Sequence, residues 1–435
     1  MAFRCAILAA SVLALGSAAA PAAERPNILL ILSDDQGFAD YSFLGHPHIR
    51  TPHIDRLARE GRTFRRGHVP SSLCCPSLAS IITGLYAHQH LITSNDPPLP
   101  AGKTGRAAEA DATFQKQRQQ MIDFIDRVPT IPRMLGEAGY VSFQSGKWWE
   151  GNFRRGGFTK GMTHGDVSRG GRHGDEGLKI GRETMQPVLD FIDDSARDEK
   201  PFFVWYAPML PHSPHNPPER LLERYRAKAP TLEIAKYWAM CEWFDETIGT
   251  LLKHLDEKRL TDNTLVVYLC DNGWIQDPNA DRYAPRSKRS PYEGGLRTPI
   301  IVRWPGHIKP QMRDELATSL DLAPTILKAA GLNPTKEMPG INLLDDAAVA
   351  ARTTLTGEIF EHNAVEIGKP ASSLQYRWII RGDWKLIVPA PRMKESSTEL
   401  FNLRNDPDEQ RNLAAAEAAR VGELQKALDG WWTPE

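Results

Sequence analysis

The fold is decided first by the stretch Ile28-Leu29-Leu30-Ile31-Leu32-Ser33-Asp34-Asp35. Five consecutive aliphatic residues lack the polar alternation of a half-exposed strand. They therefore predict a strand buried on both faces, as in a parallel sheet. Further apolar runs of similar length cover residues 201–206, 264–269 and 299–304. The chain thus contains several candidate core strands.

Helical patterns lie between these runs, so strands and helices alternate along the chain. They cover residues 51–61, 128–138 and 235–258. Such alternation predicts an α/β fold with a large, mostly parallel central sheet flanked by helices. Ligands of such sheets bind beyond the carboxyl ends of the strands, and that is where the polar clusters of this chain stand.

The character of the chain changes near residue 335. Residues 375–388 alternate around a Gly382-Asp383 turn and predict a hairpin, residues 399–403 add a strand, and residues 414–428 predict a closing helix. We expect an α/β catalytic domain over residues 23–335. A smaller antiparallel-sheet subdomain is expected over residues 336–435.

The overall composition limits the function classes. The 435 residues carry a formal net charge of −1, so no nucleic-acid-wrapping surface is expected. Residues 1–22 resemble a signal peptide, because Arg4 precedes an apolar stretch and a small-residue stretch. We expect a secreted or periplasmic protein without a membrane span. A Cys241–Cys270 disulfide remains open.

Two polar pairs end apolar strands and predict a metal site. Asp34 and Asp35 follow the first strand, and Asp271 and Asn272 follow another. Adjacent carboxylates repel each other unless a cation lies between them, and hard oxygen ligands favour Ca²⁺, with Mg²⁺ possible. Loop acids that only cap turns are the alternative for a single pair. Two pairs favour the metal site.

A cysteine stands where a helix is expected to begin. Pro76 suits the first helical turn and Gly84 suits the end, so Cys74 lies at an N-terminus that favours anions. A buried structural thiol is the alternative. Two ammonium groups and an imidazole near a divalent cation would suit a tetrahedral oxyanion ester, and the candidates are Lys147, Lys288 and His212.

Taken in order, these motifs resemble those of the formylglycine-dependent sulfatases, which belong to the alkaline-phosphatase superfamily. The matching segments are Asp34-Asp35, Cys74-x-Pro-Ser, Gly146-Lys147-Trp148, Pro211-His212-x-Pro, Asp271-Asn272-Gly273 and Tyr292-Glu293-Gly294-Gly295.

The resemblance implies a hydrolase that cleaves a sulfate ester on a sulfated small molecule or glycan. A maturation enzyme would convert Cys74 to formylglycine, whose hydrate is the nucleophile. Lys147 and Lys288 would neutralise sulfate oxygens, and His212 would serve the leaving-group oxygen. The implied calcium ligands are Asp34, Asp35, Cys74 as its converted form, Asp271 and Asn272.

Two positions depart from the family pattern. Leu78 stands where an arginine normally follows Cys-x-Pro-Ser, and Trp149 stands where a histidine normally follows Gly-Lys-Trp. Trp149 could instead stack on a sugar. Other cations could substitute, and the nearby candidates are Arg154, Arg155, Arg169, Arg172 and His173. The alternatives are a phosphate or phosphonate ester hydrolase, or a non-catalytic binder of sulfated glycans.

Overall fold

A mixed sheet of eight strands forms the centre of the larger part of the molecule. The computed structural model describes residues 25–166 and 171–435. The strand order is β4-β3-β5-β1-β6-β7-β2-β8, and neighbours are parallel except where β7 pairs with β6 and β2. The strands are β1 (Asn27–Ser33), β2 (Arg62–His68), β3 (Val141–Gly146), β4 (Lys160–Gly161), β5 (Phe202–Ala207), β6 (Thr264–Cys270), β7 (Ile300–Arg303) and β8 (Gln311–Thr318).

Strand β1 is buried on both faces because it pairs with β5 and β6 at the middle of the sheet. Ile28, Leu30 and Leu32 point into one hydrophobic core, while Leu29 and Ile31 point into the other. Helices cover both cores. The apolar run therefore forms a strand because every one of its side chains loses its water on folding.

Helices occupy both faces of the sheet and the connections between strands. The α-helices of the described residues are α1 (Pro52–Glu60), α2 (Cys74–Thr83), α3 (Ala87–His90), α4 (Gly105–Glu109), α5 (Ala112–Ile122), α6 (Ile131–Glu137), α7 (Gln186–Arg197), α8 (Glu219–Arg226), α9 (Leu232–Glu257), α10 (Glu293–Leu296), α11 (Leu322–Ala329), α12 (Asp346–Ala351), α13 (Pro370–Ser373) and α14 (Ala418–Trp431).

A second, antiparallel sheet follows in the order β12-β11-β10-β9. Trp378 and Ile380 pack into the core shared with α2, whereas Ile379 and Leu386 pack beneath α14. Its strands are β9 (Thr354–Phe360), β10 (Leu374–Arg381), β11 (Trp384–Pro389) and β12 (Glu399–Asn402).

The predicted fold class is confirmed, with both the large sheet and the smaller antiparallel sheet in place. The closing helix begins four residues later than expected, at Ala418. Cys241 and Cys270 are buried free thiols, so the bridge that the sequence left open is not formed. The domain boundary at residue 335 stays a prediction.

The expected signal peptide, residues 1–22, lies outside the described residues. Within the described ranges, no helix combines the length and the apolar character needed to cross a membrane.

A buried cluster of charges joins the two sheets. Lys385 of β11 places its Nζ 2.9 Å from Glu293 Oε1 and 2.9 Å from Glu409 Oε1. His68 of β2 places Nε2 3.0 Å from Glu293 Oε2. The Lys385 side chain is 0% exposed, so its ammonium group depends on these partners for solvation. The cluster fixes the small sheet against the large one.

Replacing Lys385 by alanine should destabilise the protein strongly. The change leaves Glu293 and Glu409 without the cation they share, and breaking a buried ion pair typically costs about 3–5 kcal/mol. Chemical denaturation would measure the loss. The exposed Lys394, replaced in the same way, serves as the control, and an equal effect of the two changes would show that the cluster does not hold the sheets together.

Candidate active site

Four neighbouring strands of the large sheet deliver the candidate residues to one edge. In the order β3-β5-β1-β6, their carboxyl ends are followed by Lys147, by the loop that carries His212, by Asp34 and Asp35, and by Asp271 and Asn272. These residues are far apart in the chain. They meet because parallel strands end at the same edge.

Local backbone geometry sets two of these side chains. Gly146 has φ +81°, and a Cβ there would lie 1.9 Å from the carbonyl oxygen of Ala207. Only glycine permits this close approach of β3 to β5, and the Lys147 amide then donates to the same oxygen at 2.7 Å. Asp35 has φ +66°, a left-handed conformation that aspartate tolerates better than most residues.

Three buried carboxylates form the floor of the site. Asp34, Asp35 and Asp271 each offer an oxygen, and these oxygens all lie within 4.8 Å of one another. Oδ2 of Asp271 is buried and makes no hydrogen bond within the described structure. Burial, reinforced by the charge of Asp34, raises the pKa of Asp271 well above its usual value. Three acids so close together need cationic partners to stay ionised.

The two predicted lysines supply part of that charge. Lys147 Nζ lies 2.7 Å from Asp34, and Lys288 Nζ lies 2.6 Å from Asp35 Oδ1. Burial opposes the ionisation of Asp35, but Lys288, His212 and Lys147 together outweigh it and lower the pKa of that carboxyl. Two ammonium groups still leave one carboxylate of the three uncompensated. The oxygen donors and the orphaned atom of Asp271 therefore fit a divalent cation such as calcium.

Cys74 is the first residue of α2 and faces the acids. Its Sγ lies 3.6 Å from Asn272 Oδ1, and the Ser77 hydroxyl of the same helix donates to the backbone carbonyl of Asp271. Burial raises the pKa of the Cys74 thiol to about 12, although Lys147 and Lys288 oppose the shift. The unmodified residue is therefore a thiol, not a thiolate, at neutral pH.

His212 also reaches the site, and both of its ring nitrogens have partners. Nδ1 lies 2.6 Å from the carbonyl oxygen of Ser213, and Nε2 lies 3.3 Å from Asp35 Oδ2. Burial lowers the pKa of His212, while Asp34 partly offsets the shift. All the catalytic and metal-site candidates named from the sequence thus lie in one place.

A cleft of about 340 Å³ opens above these residues. Several of its lining residues were not identified from the sequence, because they lie on loops and none is a fixed residue of a recognised motif. The clearest signal available was the Lys288-Arg289 pair, in which only the lysine belongs to the recognised pattern. The lining residues that the sequence did not indicate are Asn95, Ser213, Trp274, Asp281, Arg282, Tyr283, Arg289 and His362.

The two departures from the family pattern have different surroundings. Leu78 is 5% exposed and packs on the core side of α2. Its aliphatic side chain brings no charge to the site. Trp149 is also 5% exposed, with Arg172 4.9 Å from its ring centroid and the His173 ring 5.1 Å away. The protein's own side chains thus cover Trp149, and a role in stacking on a sugar is not favoured.

Only two of the five proposed substitute cations lie at the cleft among the described residues, Arg172 and His173. Arg154 stacks on Phe153, and Arg155 pairs with Asp123 at 2.6 Å. Arg169 lies outside the described residues.

Sequence comparisons identify relatives of this arrangement. A family model described as Sulfatase matches residues 26–332, and one described as N-sulphoglucosamine sulphohydrolase, C-terminal, matches residues 283–430. N-acetylgalactosamine-6-sulfatase of Canis lupus familiaris is 30% identical over 379 residues, covering 78% of this chain and 68% of the relative. Arylsulfatase A of Homo sapiens is 28% identical over 480 residues, covering 93% and 87%.

Solved structures share the same architecture. The crystal structure named Ps i-CgsB has a TM-score of 0.74 and 24% identity and covers 94% of each chain. A protein solved in complex with its substrate D-glucosamine-2-N,6-O-disulfate has a TM-score of 0.71 and 20% identity, covering 94% of this chain and 96% of its own.

Calcium should stabilise the protein, and Asp271→Asn should abolish the effect. Ionised Asp271 is unfavourable in the metal-free fold because its pKa is raised, so the variant should be at least as stable as wild type after chelation. At a calcium concentration of about 100 times Kd, wild type should gain about 2.7 kcal/mol, and the variant should not.

Thermal unfolding with and without calcium would measure the stability of wild type and of the variant in both states. Asp262→Asn is the matched control, because Asp262 is exposed and precedes β6 at the opposite end of the strand. Equal calcium responses of wild type and Asp271→Asn would rule out a cation at this cluster.

Proposed function

Because the chain belongs to the sulfatase family of the alkaline-phosphatase superfamily and is a sulfuric ester hydrolase, we propose that it removes sulfate from a sulfated carbohydrate. We further propose that Cys74 acts as formylglycine and that calcium binds beside it. One observation carries the proposal. The start of α2 brings Cys74 to the carboxylate cluster, with Asn272 at 3.6 Å, in a cleft that both lysines line.

The proposed calcium ligands are the oxygens of Asp34, Asp35, Asp271 and Asn272, together with the converted side chain of residue 74. When bound, the ion would polarise the sulfate ester and help to ionise the nucleophile. Lys147 and Lys288 now contact the acids at 2.7 and 2.6 Å. A cation that neutralises the acids would let both ammonium groups turn to sulfate oxygens, where they would bind developing negative charge.

The proposed nucleophile comes from oxidation of Cys74 by a formylglycine-generating or equivalent maturation enzyme. The hydrate of this formylglycine would supply the oxygen that attacks sulfur. The covalent step divides one difficult displacement into two easier ones. Ser77 and Asn95 hold the start of α2 in place, since Ser77 bonds the Asp271 carbonyl and Asn95 Oδ1 accepts from the Cys75 amide at 2.9 Å. This support does not require a charged side chain at position 78.

Arginine side chains at the cleft support an acidic glycan as substrate, and Arg289 is the one that the carboxylates of the described residues leave unpaired. Arg172 is paired with Asp96 at 2.9 Å, and Arg282 with Asp277 at 3.0 Å. Arg289 lines the same cleft, and among the described residues no carboxylate forms an ion pair with it. Relatives named for sulfated amino sugars point to the same class of substrate. The proposed location is secreted or periplasmic, as the N-terminal sequence predicts.

Mass spectrometry and sulfate release together test the proposed chemistry. The peptide that contains Cys74, from protein made in its native host, should show the loss of mass that formylglycine brings. Wild type should release sulfate from a panel of sulfated sugars, and Cys74→Ala should release none. An intact thiol with no sulfate release contradicts the proposal. Faster turnover of phosphate or phosphonate esters would support that activity instead, and tight glycan binding without turnover would support a binder.

Arg289→Gln should weaken binding of a disulfated disaccharide by about tenfold in KM, a loss of about 1.4 kcal/mol, because a charge-assisted hydrogen bond is removed. Turnover of an aryl sulfate with no second anionic group should stay unchanged. Steady-state kinetics on both substrates would measure this. The control is Arg282→Gln, since Arg282 lines the same cleft but already has a carboxylate partner. Equal effects of the two changes would refute a specific role for Arg289.

A further inference from the structure

Two imidazoles stand beside the acids and Lys147, and they differ in what they contact. His212 has a partner at each ring nitrogen, the Ser213 carbonyl and the Asp35 carboxylate. His173 lines the same cleft, yet no hydrogen bond to either of its ring nitrogens occurs in the described part of the chain. Its Nδ1 is buried without a partner. The ring therefore has unused hydrogen-bonding capacity. Because Nδ1 is buried, Nε2 is the nitrogen through which His173 can bind a ligand in the cleft.

The backbone around His173 is held firmly against the end of β3. The Trp148 amide donates to the His173 carbonyl at 3.0 Å, and the Thr163 hydroxyl donates to the Gly174 carbonyl at 2.9 Å. A Cβ at Gly177 would lie 2.5 Å from the Gly146 carbonyl, so the segment packs directly on the turn that presents Lys147. His173 therefore keeps a fixed position relative to the lysine.

The side chain of Asp175 reinforces this position. Its carboxylate accepts from the backbone amides of His164 at 2.9 Å and Gly165 at 2.7 Å. On the cleft side, the His173 ring lies 5.1 Å from the Trp149 ring at an interplanar angle of 30°. Trp149 thus provides a flat apolar wall that limits rotation of the imidazole. Such preorganisation is what a group needs to stabilise charge that develops during a reaction.

We infer that His173, which lines the cleft, is a catalytic residue and that its Nε2 donates a hydrogen bond to the ester oxygen that leaves with the carbohydrate. The inference rests on the proposed function and departs from the family pattern in one respect. That pattern gives the leaving oxygen to His212, but both ring nitrogens of His212 already contact protein groups. It assigns no role to position 173. In this chain, Trp149 fills the place of the usual histidine and supports a different imidazole instead. The group that His173 would bind is therefore the bridging oxygen of the sulfate ester, which becomes alkoxide-like as the S–O bond breaks.

The role is a hydrogen bond and not the transfer of a proton. Burial, reinforced by the charges of Lys147 and Arg172, lowers the pKa of His173 to about 3. At neutral pH the ring is neutral and carries one N–H. As the S–O bond lengthens, negative charge grows on the leaving oxygen, and a neutral donor already in place binds that charge more strongly than it binds the ground-state ester.

Leaving-group dependence tests this assignment. His173→Asn should lower kcat by about 100-fold for the sulfated sugar that wild type cleaves best, with KM nearly unchanged, as for loss of one such donor elsewhere. The loss should be less than about tenfold for 4-nitrophenyl sulfate, whose leaving group needs little stabilisation. His173→Gln, which keeps an N–H at the end of a longer side chain, should recover part of the activity on the sugar.

The control is His362→Asn. His362 lines the same cleft, but its Nδ1 already lies 2.9 Å from Asn363 Oδ1. His362→Asn should therefore lower kcat far less than His173→Asn does, on both the sugar and 4-nitrophenyl sulfate. Unfolding temperatures of all variants would confirm that they fold. Equal losses on the two substrates, or no loss on the sugar, would overturn the assignment. Absence of sulfate release by wild type would instead refute the proposed function.

Discussion

The site depends on one constraint, the placement of three carboxylates where water cannot screen them. Asp34 and Asp35 follow β1, Asp271 follows β6, and all three are nearly fully buried. Like charges in that position are stable only when cations are fixed around them. The parallel pairing of β3, β5, β1 and β6 brings Lys147 to the same edge, and the loop before α10 brings Lys288. The large sheet therefore positions the acids and part of the charge that balances them.

The departures from the family pattern have physical consequences that can be followed in the structure. Leu78 faces the core, so the start of α2 is held by Ser77 and Asn95 through neutral hydrogen bonds. Trp149 is packed against Arg172 and His173 and supports them at the cleft wall. Positive charge and an imidazole are thus present at the same cleft as residue 74. They come from Arg172 and His173 and not from positions 78 and 149. The chain therefore has an altered site and not one that has lost its chemistry.

The central strands and the site residues attached to them could be predicted from the sequence. Runs such as residues 28–32 are apolar throughout because they are buried on both faces, and their polar ends mark the ligand-binding edge. Strand β2, with the sequence Arg-Thr-Phe-Arg-Arg-Gly-His, gave no such signal, because three arginines interrupt any apolar pattern. Its place in the sheet is set by pairing with β7 and β8. Arg289 and His362 were likewise missed, since loops place them and no periodicity encodes a loop's path.

The central claim is that a calcium ion balances the acids at the ends of β1 and β6. A crystal structure of the protein grown with calcium tests it most directly. We expect density for an ion bound by oxygens of Asp34, Asp35, Asp271 and Asn272 at about 2.3–2.6 Å, the range typical of calcium. A well-ordered site with Lys147 and Lys288 still paired to Asp34 and Asp35, and no ion among the carboxylates, would contradict it.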